Sequence, residues 1–121
     1  MAYMTAKETL IRICEIKFSD IRKRSNIDLW TEDDRTDLLS WPEELAHGVL
    51  TRMAVTNCPW CIRFEGKCEE CSYGKRHGIC RHARSDFRQA ETERKVQHLP
   101  YLSEDALIDI GRLLKGYKSC P

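Results

Sequence analysis

The chain lacks any apolar run long enough to cross a bilayer, and its N-terminus lacks a basic region followed by an apolar stretch. A membrane-spanning helix needs about 20 consecutive, mainly apolar residues, and the opening MAYMTAKETL is not a secretory signal. We therefore expect a cytoplasmic protein without membrane contacts, in a compartment where structural disulfides are rare. The seven cysteines are an odd number, which also argues against a fully paired disulfide framework.

The chain also lacks a large excess of charge of either sign. Its 20 basic and 19 acidic residues give a formal net charge of +1, so no overall field favours nucleic acid or a membrane surface. Charge is nevertheless uneven, because residues 28–44 are mainly acidic and residues 72–88 are mainly basic. These two segments could attract each other within the fold, or the basic segment could face an acidic partner.

Sequence motifs of common enzyme classes are missing as well. The chain contains no P-loop, dinucleotide-binding glycine fingerprint, Gly-x-Ser-x-Gly elbow or His-Glu-x-x-His zinc motif. An acid–base constellation is not assembled by any stretch of the sequence. The sequence therefore favours a non-enzymatic binding protein that acts as a regulator, adaptor or inhibitor, with a protein partner preferred over nucleic acid.

The length of 121 residues is typical of a single domain spanning 1–121. The apolar periodicity predicts a mainly α, small helical domain with about four to five helices. Its helical core is expected from residues 5–55 and 85–116. Between them, residues 57–82 contain four turn-forming residues, Pro59, Gly66, Gly74 and Gly78, which predict an irregular Cys-rich metal-binding loop.

Helix starts are marked by polar residues at capping positions. Thr5–Glu8, Thr31–Asp34 and Ser40–Glu43 are each predicted to form a capping box or a related cap. Ser85 and Ser103 are predicted to begin the two later helices. Apolar residues at helical spacing then predict a core that includes Leu10, Phe18, Leu45, Val49, Met53, Leu107, Ile110 and Leu114.

The strongest signal is a dense cysteine cluster with the sequence CPWCIRFEGKCEECSYGKRHGIC, which begins at residue 58. Two Cys-x-x-Cys pairs are separated by six residues, and a further cysteine follows. Each such turn can direct two sulfur atoms at one ion, and two turns can complete a tetrahedral site. The spacing therefore predicts a bound metal, most simply structural zinc.

The choice of ligands stays open at this point. Four of five cysteines are expected to bind the metal, and the candidates are Cys58, Cys61, Cys68, Cys71 and Cys80. His77 is a candidate substitute for one of them. A [4Fe-4S] cluster with a redox or sensing role is the alternative, because iron–sulfur centres also take four thiolates.

The four residues Cys58-Pro-Trp-Cys61 resemble the Cys-Pro-aromatic-Cys active site of glutaredoxins. The resemblance implies a thiol oxidoreductase on a βαβ fold, with the motif directly after a first strand. The rest of the chain departs from that pattern, because helical signals precede the motif and the three cysteines at 68, 71 and 80 follow it closely.

A candidate contact set for the partner surrounds the cysteine cluster. It consists of basic residues with two aromatic residues that could add stacking: Arg63, Lys75, Arg76, Arg81, Arg84, Arg88, Trp60 and Tyr73.

Overall fold

The computed structural model describes residues 4–67, 69–79, 84–93 and 102–119, and within these ranges the regular elements are all helices. In chain order they are α1 Ala6–Ser25, α2 Glu32–Leu39, α3 Glu43–Arg52, α4 Pro59–Arg63, α5 Ser72–His77, α6 Asp86–Glu93 and α7 Glu104–Lys118. The predicted mainly α class is confirmed. The described ranges hold seven helices, more than predicted, and contain no strand of the kind that a glutaredoxin-like βαβ fold requires.

Helix α1 is the central element, and it packs against α2, α3, α6 and α7. It begins at the predicted capping box, in which the Thr5 hydroxyl accepts from the Glu8 amide and the Glu8 carboxylate accepts from the Thr5 amide. Leu10, Cys14 and Phe18 recur at four-residue spacing and are buried. Cys14 therefore serves as a small core residue, as free buried cysteines usually do.

The predicted core is confirmed in most positions. Six of the eight residues named from the sequence are buried, and Leu45 and Leu107 are half-buried against the same cluster. The largest buried side chains also include Trp41 and Trp60, whose rings meet edge to face with centroids 5.6 Å apart. Aromatic packing thus extends the core from α1 toward the cysteine segment.

The junction between α2 and α3 differs from the predicted capping box at Ser40–Glu43. Helix α3 has Pro42 at its N-cap and no side-chain cap, while the Ser40 hydroxyl donates to the Asp37 carbonyl at the end of α2. The Glu43 carboxylate instead accepts from the backbone amides of Ala6 and Lys7 in the first turn of α1. A tertiary contact has replaced the local one, because the free amides of α1 lie within reach of Glu43.

The predicted irregular loop at 57–82 is wrong in part, because it contains two short helices. Pro59 occupies the first turn of α4, where its fixed φ suits a helix and its missing amide costs nothing. At α5 the Cys71 sulfur accepts from the Gly74 amide and caps the first turn. Of the four residues that predicted turns, Gly66 lies between the two helices and Gly78 ends α5, whereas Pro59 and Gly74 lie within α4 and α5.

The last helix, α7, begins at Ser103 as predicted, and the Ser103 hydroxyl accepts from the Ala106 amide. It continues past the predicted stop at Lys115 and Gly116 to Lys118. The Lys118 ammonium donates to the Met53 carbonyl, which ties the end of α7 to the end of α3. No helix in the described ranges is long and apolar enough to cross a membrane.

Candidate metal centre

The first cysteine pair lies at the start of α4. Cys58 precedes the helix and is half-buried, and Cys61 lies in the helix and is exposed. A hydrogen bond from the Cys61 thiol, which outweighs the opposing effect of burial, lowers the pKa of Cys58 to about 6. The Lys17 ammonium and the backbone amides of Trp60 and Cys61 act in the same direction. Cys58 is therefore largely thiolate at neutral pH, which is the form that binds metals.

Of the second cysteine pair, only Cys71 is among the residues that the structure describes. Its sulfur accepts from the Gly74 amide at 3.4 Å, so this thiol also has a backbone donor directed at it. Cys61 and Cys71 line the same apolar cavity of about 40 Å³, so one cysteine of each pair faces a common space. The other lining residues are Trp60, Phe64, Gly66, Lys67, Gly74 and Ile79.

The remaining predicted ligands are Cys68, Cys80 and His77. Cys68 and Cys80 lie outside the described residues. Among the residues that are described, no three His, Cys, Asp or Glu side chains converge as a metal site would require. His77 has both ring nitrogens within 2.7 Å of carboxylates, so neither nitrogen faces the cysteine cavity as a ligand.

Asp37 on α2 connects the two cysteine segments through one carboxylate oxygen. Its Oδ2 atom accepts from Nε1 of Trp60 at 2.8 Å and from Oγ of Ser72 at 2.6 Å. The same oxygen accepts from Nη2 of Arg76 at 3.0 Å. Burial alone would raise the pKa of Asp37, but the bonds from Ser72, Trp60 and Arg76 outweigh it and lower the pKa. The carboxylate is therefore ionised at neutral pH.

A second carboxylate of α2, Asp34, is fully buried beside Asp37. It lies one helical turn before Asp37 and therefore on the same face of α2. Asp34 accepts from Nε of Arg76 at 2.7 Å and pairs with Nε2 of His77 at 2.7 Å. Nδ1 of His77 pairs with Asp86 of α6, also at 2.7 Å. Burial alone would lower the pKa of His77, but its hydrogen bonds to Asp34 and Asp86 outweigh burial and raise the pKa.

This network explains part of the uneven charge along the chain. Arg76 and His77 come from the basic segment, and Asp34 and Asp37 come from the acidic segment. The two segments therefore attract each other within the fold, which is one of the two outcomes that the sequence allowed. The paired groups attach α5 to α2 and leave Arg76 without free charge for a partner.

The predicted partner-contact residues have several fates. Trp60 and Tyr73 are buried, at 0% and 1% exposure, and the Tyr73 hydroxyl donates to the Leu29 carbonyl. The Arg63 guanidinium lies over the rings of Trp41 and Phe64 and is half-buried. Three predicted contact residues are exposed, namely Lys75, Arg84 and Arg88. Arg81 lies outside the described residues.

Sequence reasoning missed the roles of Asp37 and Asp86 and gave Asp34 only a capping role. The signal that could have found them is the three-residue spacing of Asp34 and Asp37, which places two acids on one face of a short helix. The adjacent cations Arg76 and His77 supply matching charge, but nothing local in the sequence shows that α2 and α5 meet.

Comparison of the chain with protein-family models, with curated proteins and with solved structures gave no match.

Proposed function

We propose that this is a non-enzymatic, metal-stabilised binding protein whose cysteine segment holds structural zinc and contacts a protein partner. The observation that carries the proposal is the shared cavity of Cys61 and Cys71, with the Cys58 sulfur hydrogen-bonded to Cys61. Thiolates from two Cys-x-x-Cys turns are the usual ligands of closed structural zinc sites. Cys68 and Cys80 are the candidates for the ligands that complete the site.

The helices described within the cysteine segment are short. Helices α4 and α5 have five and six residues, and isolated helices of that length are unstable in water. Binding of structural zinc contributes about 10–16 kcal/mol in zinc-finger peptides at neutral pH. A metal held by both pairs would therefore stabilise the segment far more than its helix propensity does.

The experiment is thermal unfolding of the full chain with zinc and after removal of metal by a chelator. We expect chelation to lower the unfolding midpoint of the wild-type protein and to have little effect on Cys58→Ser and Cys71→Ser, which have already lost ligands. Cys14→Ala is the matched control, because Cys14 is buried in α1 and should leave the response to chelation intact. An equal midpoint with and without metal in the wild-type protein would refute structural zinc.

A [4Fe-4S] cluster is the alternative cofactor, and the same preparation distinguishes it. Protein purified without oxygen would then be brown and contain iron with acid-labile sulfide, since four cysteine thiolates can also hold such a cluster. Zinc without iron would exclude the redox or sensing role that this alternative implies.

A protein partner is favoured over nucleic acid because several charged and aromatic side chains of the segment are paired or buried within the fold. Arg76 is neutralised by Asp34 and Asp37 within the fold. Trp60 and Tyr73, which would otherwise stack on bases, are buried. The exposed basic side chains of Lys75, Arg84 and Arg88 then suit an acidic surface on a protein partner. A regulator, adaptor or inhibitor would act through such a contact.

The partner class is tested by binding of labelled oligonucleotides at about 50 and 200 mM salt, across which phosphate-driven binding falls steeply. We expect no specific binding at either concentration. Tight binding with a steep salt dependence, lost in the variant Lys75→Glu, would show that nucleic acid is the partner.

A further inference from the structure

A residue from each of the two cysteine segments donates a hydrogen bond to Asp37 of α2. Trp60 lies between Cys58 and Cys61, and Ser72 directly follows Cys71. Both donate to the same oxygen of Asp37, at 2.8 Å and 2.6 Å. We propose that Asp37 is a positioning residue that sets the distance between the two Cys-x-x-Cys segments for metal binding. The inference rests on the proposed function and names a residue whose described hydrogen bonds go to Trp60, Ser72 and Arg76.

The carboxylate suits this task because it has no donor and accepts from several groups at once. An ionised carboxylate offers about four acceptor positions, whereas an amide in its place would keep one oxygen and add two donors. Three donors already converge on Oδ2, from the indole of Trp60, the hydroxyl of Ser72 and the guanidinium of Arg76. Hydrogen bonds to an ionised acceptor are shorter and stronger than those between neutral groups.

The two anchored residues transmit the position of Asp37 to the sulfur atoms. The Trp60 indole is fully buried, with Trp41 and Tyr73 packed against it at centroid distances of 5.6 and 5.0 Å. It cannot reorient without disturbing the core, so its bond to Asp37 fixes the first turn. Ser72 is the first residue of α5 and directly follows Cys71, so its bond to Asp37 holds the backbone beside Cys71.

Polar groups that hydrogen-bond directly to metal ligands are worth about 10- to 100-fold in metal affinity. Asp37 bonds to neighbours of the candidate ligands, so we expect Asp37→Ala to weaken zinc binding by a factor at the lower end of that range, about 10-fold. The zinc dissociation constant of the full chain is measured by competition with a chromophoric chelator at pH 7. Asp37→Asn, which keeps one accepting oxygen, should give an intermediate loss.

Two controls separate positioning from general destabilisation. Asp33→Ala removes an exposed acid from the same helix and should leave zinc affinity unchanged. Glu43→Ala weakens the start of α1, which lies outside the cysteine segments, and reports how far lower stability alone reduces affinity. The absorption of cobalt-substituted protein gives a second readout, because a displaced thiolate alters the bands of a tetrahedral cobalt–thiolate site.

If Asp37→Ala does not fold, the positioning role of Asp37 is tested with the variants Trp60→Phe and Ser72→Ala. Each removes one donor to Asp37 and leaves the Arg76 pair in place, so each should weaken zinc binding more than Asp33→Ala does. Wild-type affinity in all of these variants would overturn the positioning role and leave the proposed zinc site intact. Failure of the wild-type protein itself to bind zinc would overturn both.

Discussion

The Nε2 atom of His77 lies 2.7 Å from Oδ2 of Asp34, and both side chains are buried. Nδ1 of the same ring faces Asp86 at 2.7 Å. An imidazole with a carboxylate at each nitrogen satisfies both only as the doubly protonated cation, since the neutral ring has a single N–H. His77 therefore acts as a charged clamp that attaches α5 to α2 and α6.

The clamp predicts a specific pH dependence of stability. The pKa of His77 is raised above its ordinary value by Asp34 and Asp86. Its stabilisation is therefore fully present below about pH 6.5, the unfolded value, and is lost as the pH rises through the folded value. The pKa of Asp34 is lowered by His77, Thr31 and Arg76, whose bonds outweigh burial. Its contribution is present above about pH 3.9 and is lost as the pH falls through the folded value.

We therefore expect the free energy of unfolding of wild-type protein to exceed that of His77→Gln most between about pH 4 and 6.5. The difference should shrink at alkaline pH. The measurement is urea unfolding of both metal-free proteins across this range and at alkaline pH. Cys58 also titrates here, but both proteins retain it, so the difference isolates the histidine. A difference that is constant with pH would contradict the charged clamp.

Removal of Asp34 is predicted to be among the most damaging single changes in α2. Asp34→Ala removes the fully buried carboxylate shared by Arg76 and His77 and leaves them only Asp37 and Asp86, and loss of hydrogen bonds to a charged group costs about 1.5–3 kcal/mol. The exposed neighbour Asp33→Ala is the control and should cost about 0.5 kcal/mol or less. Chemical denaturation of the two variants checks this prediction, and similar losses in both would show that the buried network is not stabilising.

Glu43 is predicted to stabilise a helix to which it does not belong. Its carboxylate accepts from the first amides of α1, so Glu43→Ala should cost about 1 kcal/mol, as loss of a cap does. Glu44→Ala, one residue further along α3 and exposed, should cost less. Hydrogen exchange of the first-turn amides of α1 measures the effect locally, and unchanged protection of the Ala6 amide would contradict this contact.

The Tyr73 hydroxyl is predicted to matter separately from its ring. Tyr73→Phe keeps the stacking on His77, at a centroid distance of 4.3 Å, and removes the donor to the buried Leu29 carbonyl. An unsatisfied buried acceptor costs about 1–3 kcal/mol. Equilibrium unfolding should show a loss in that range, whereas an unchanged free energy would mean that another donor reaches the carbonyl.

Local signals in the sequence were sufficient for the helices but not for the contacts between them. The Thr5, Thr31 and Ser103 caps were predictable because each hydroxyl bonds within its own first turn. The role of Glu43 was not, because its partners precede it by 36 and 37 residues. Spacing alone therefore suggested a local cap that does not form.

The same distinction applies to the candidate site. The cysteine spacing predicts a metal-binding segment that includes Cys58 and Cys61, and this stays a prediction. The burial of Trp60 and the internal pairing of Arg76 depend on where α2 carries its two inward-facing acids. Those contacts join residues about 20 to 40 positions apart, so their effect on the predicted contact surface could be learned only from the fold.

Our proposal that thiolates of residues 58–80 bind one metal ion is decided by the metal content of the purified protein. The measurement is native mass spectrometry of the untagged full chain, with zinc and iron determined in the same preparation. We expect one zinc ion per chain in the wild-type protein and its loss in Cys58→Ser. Metal-free wild-type protein that keeps its fold when these cysteines are replaced by serine would contradict it.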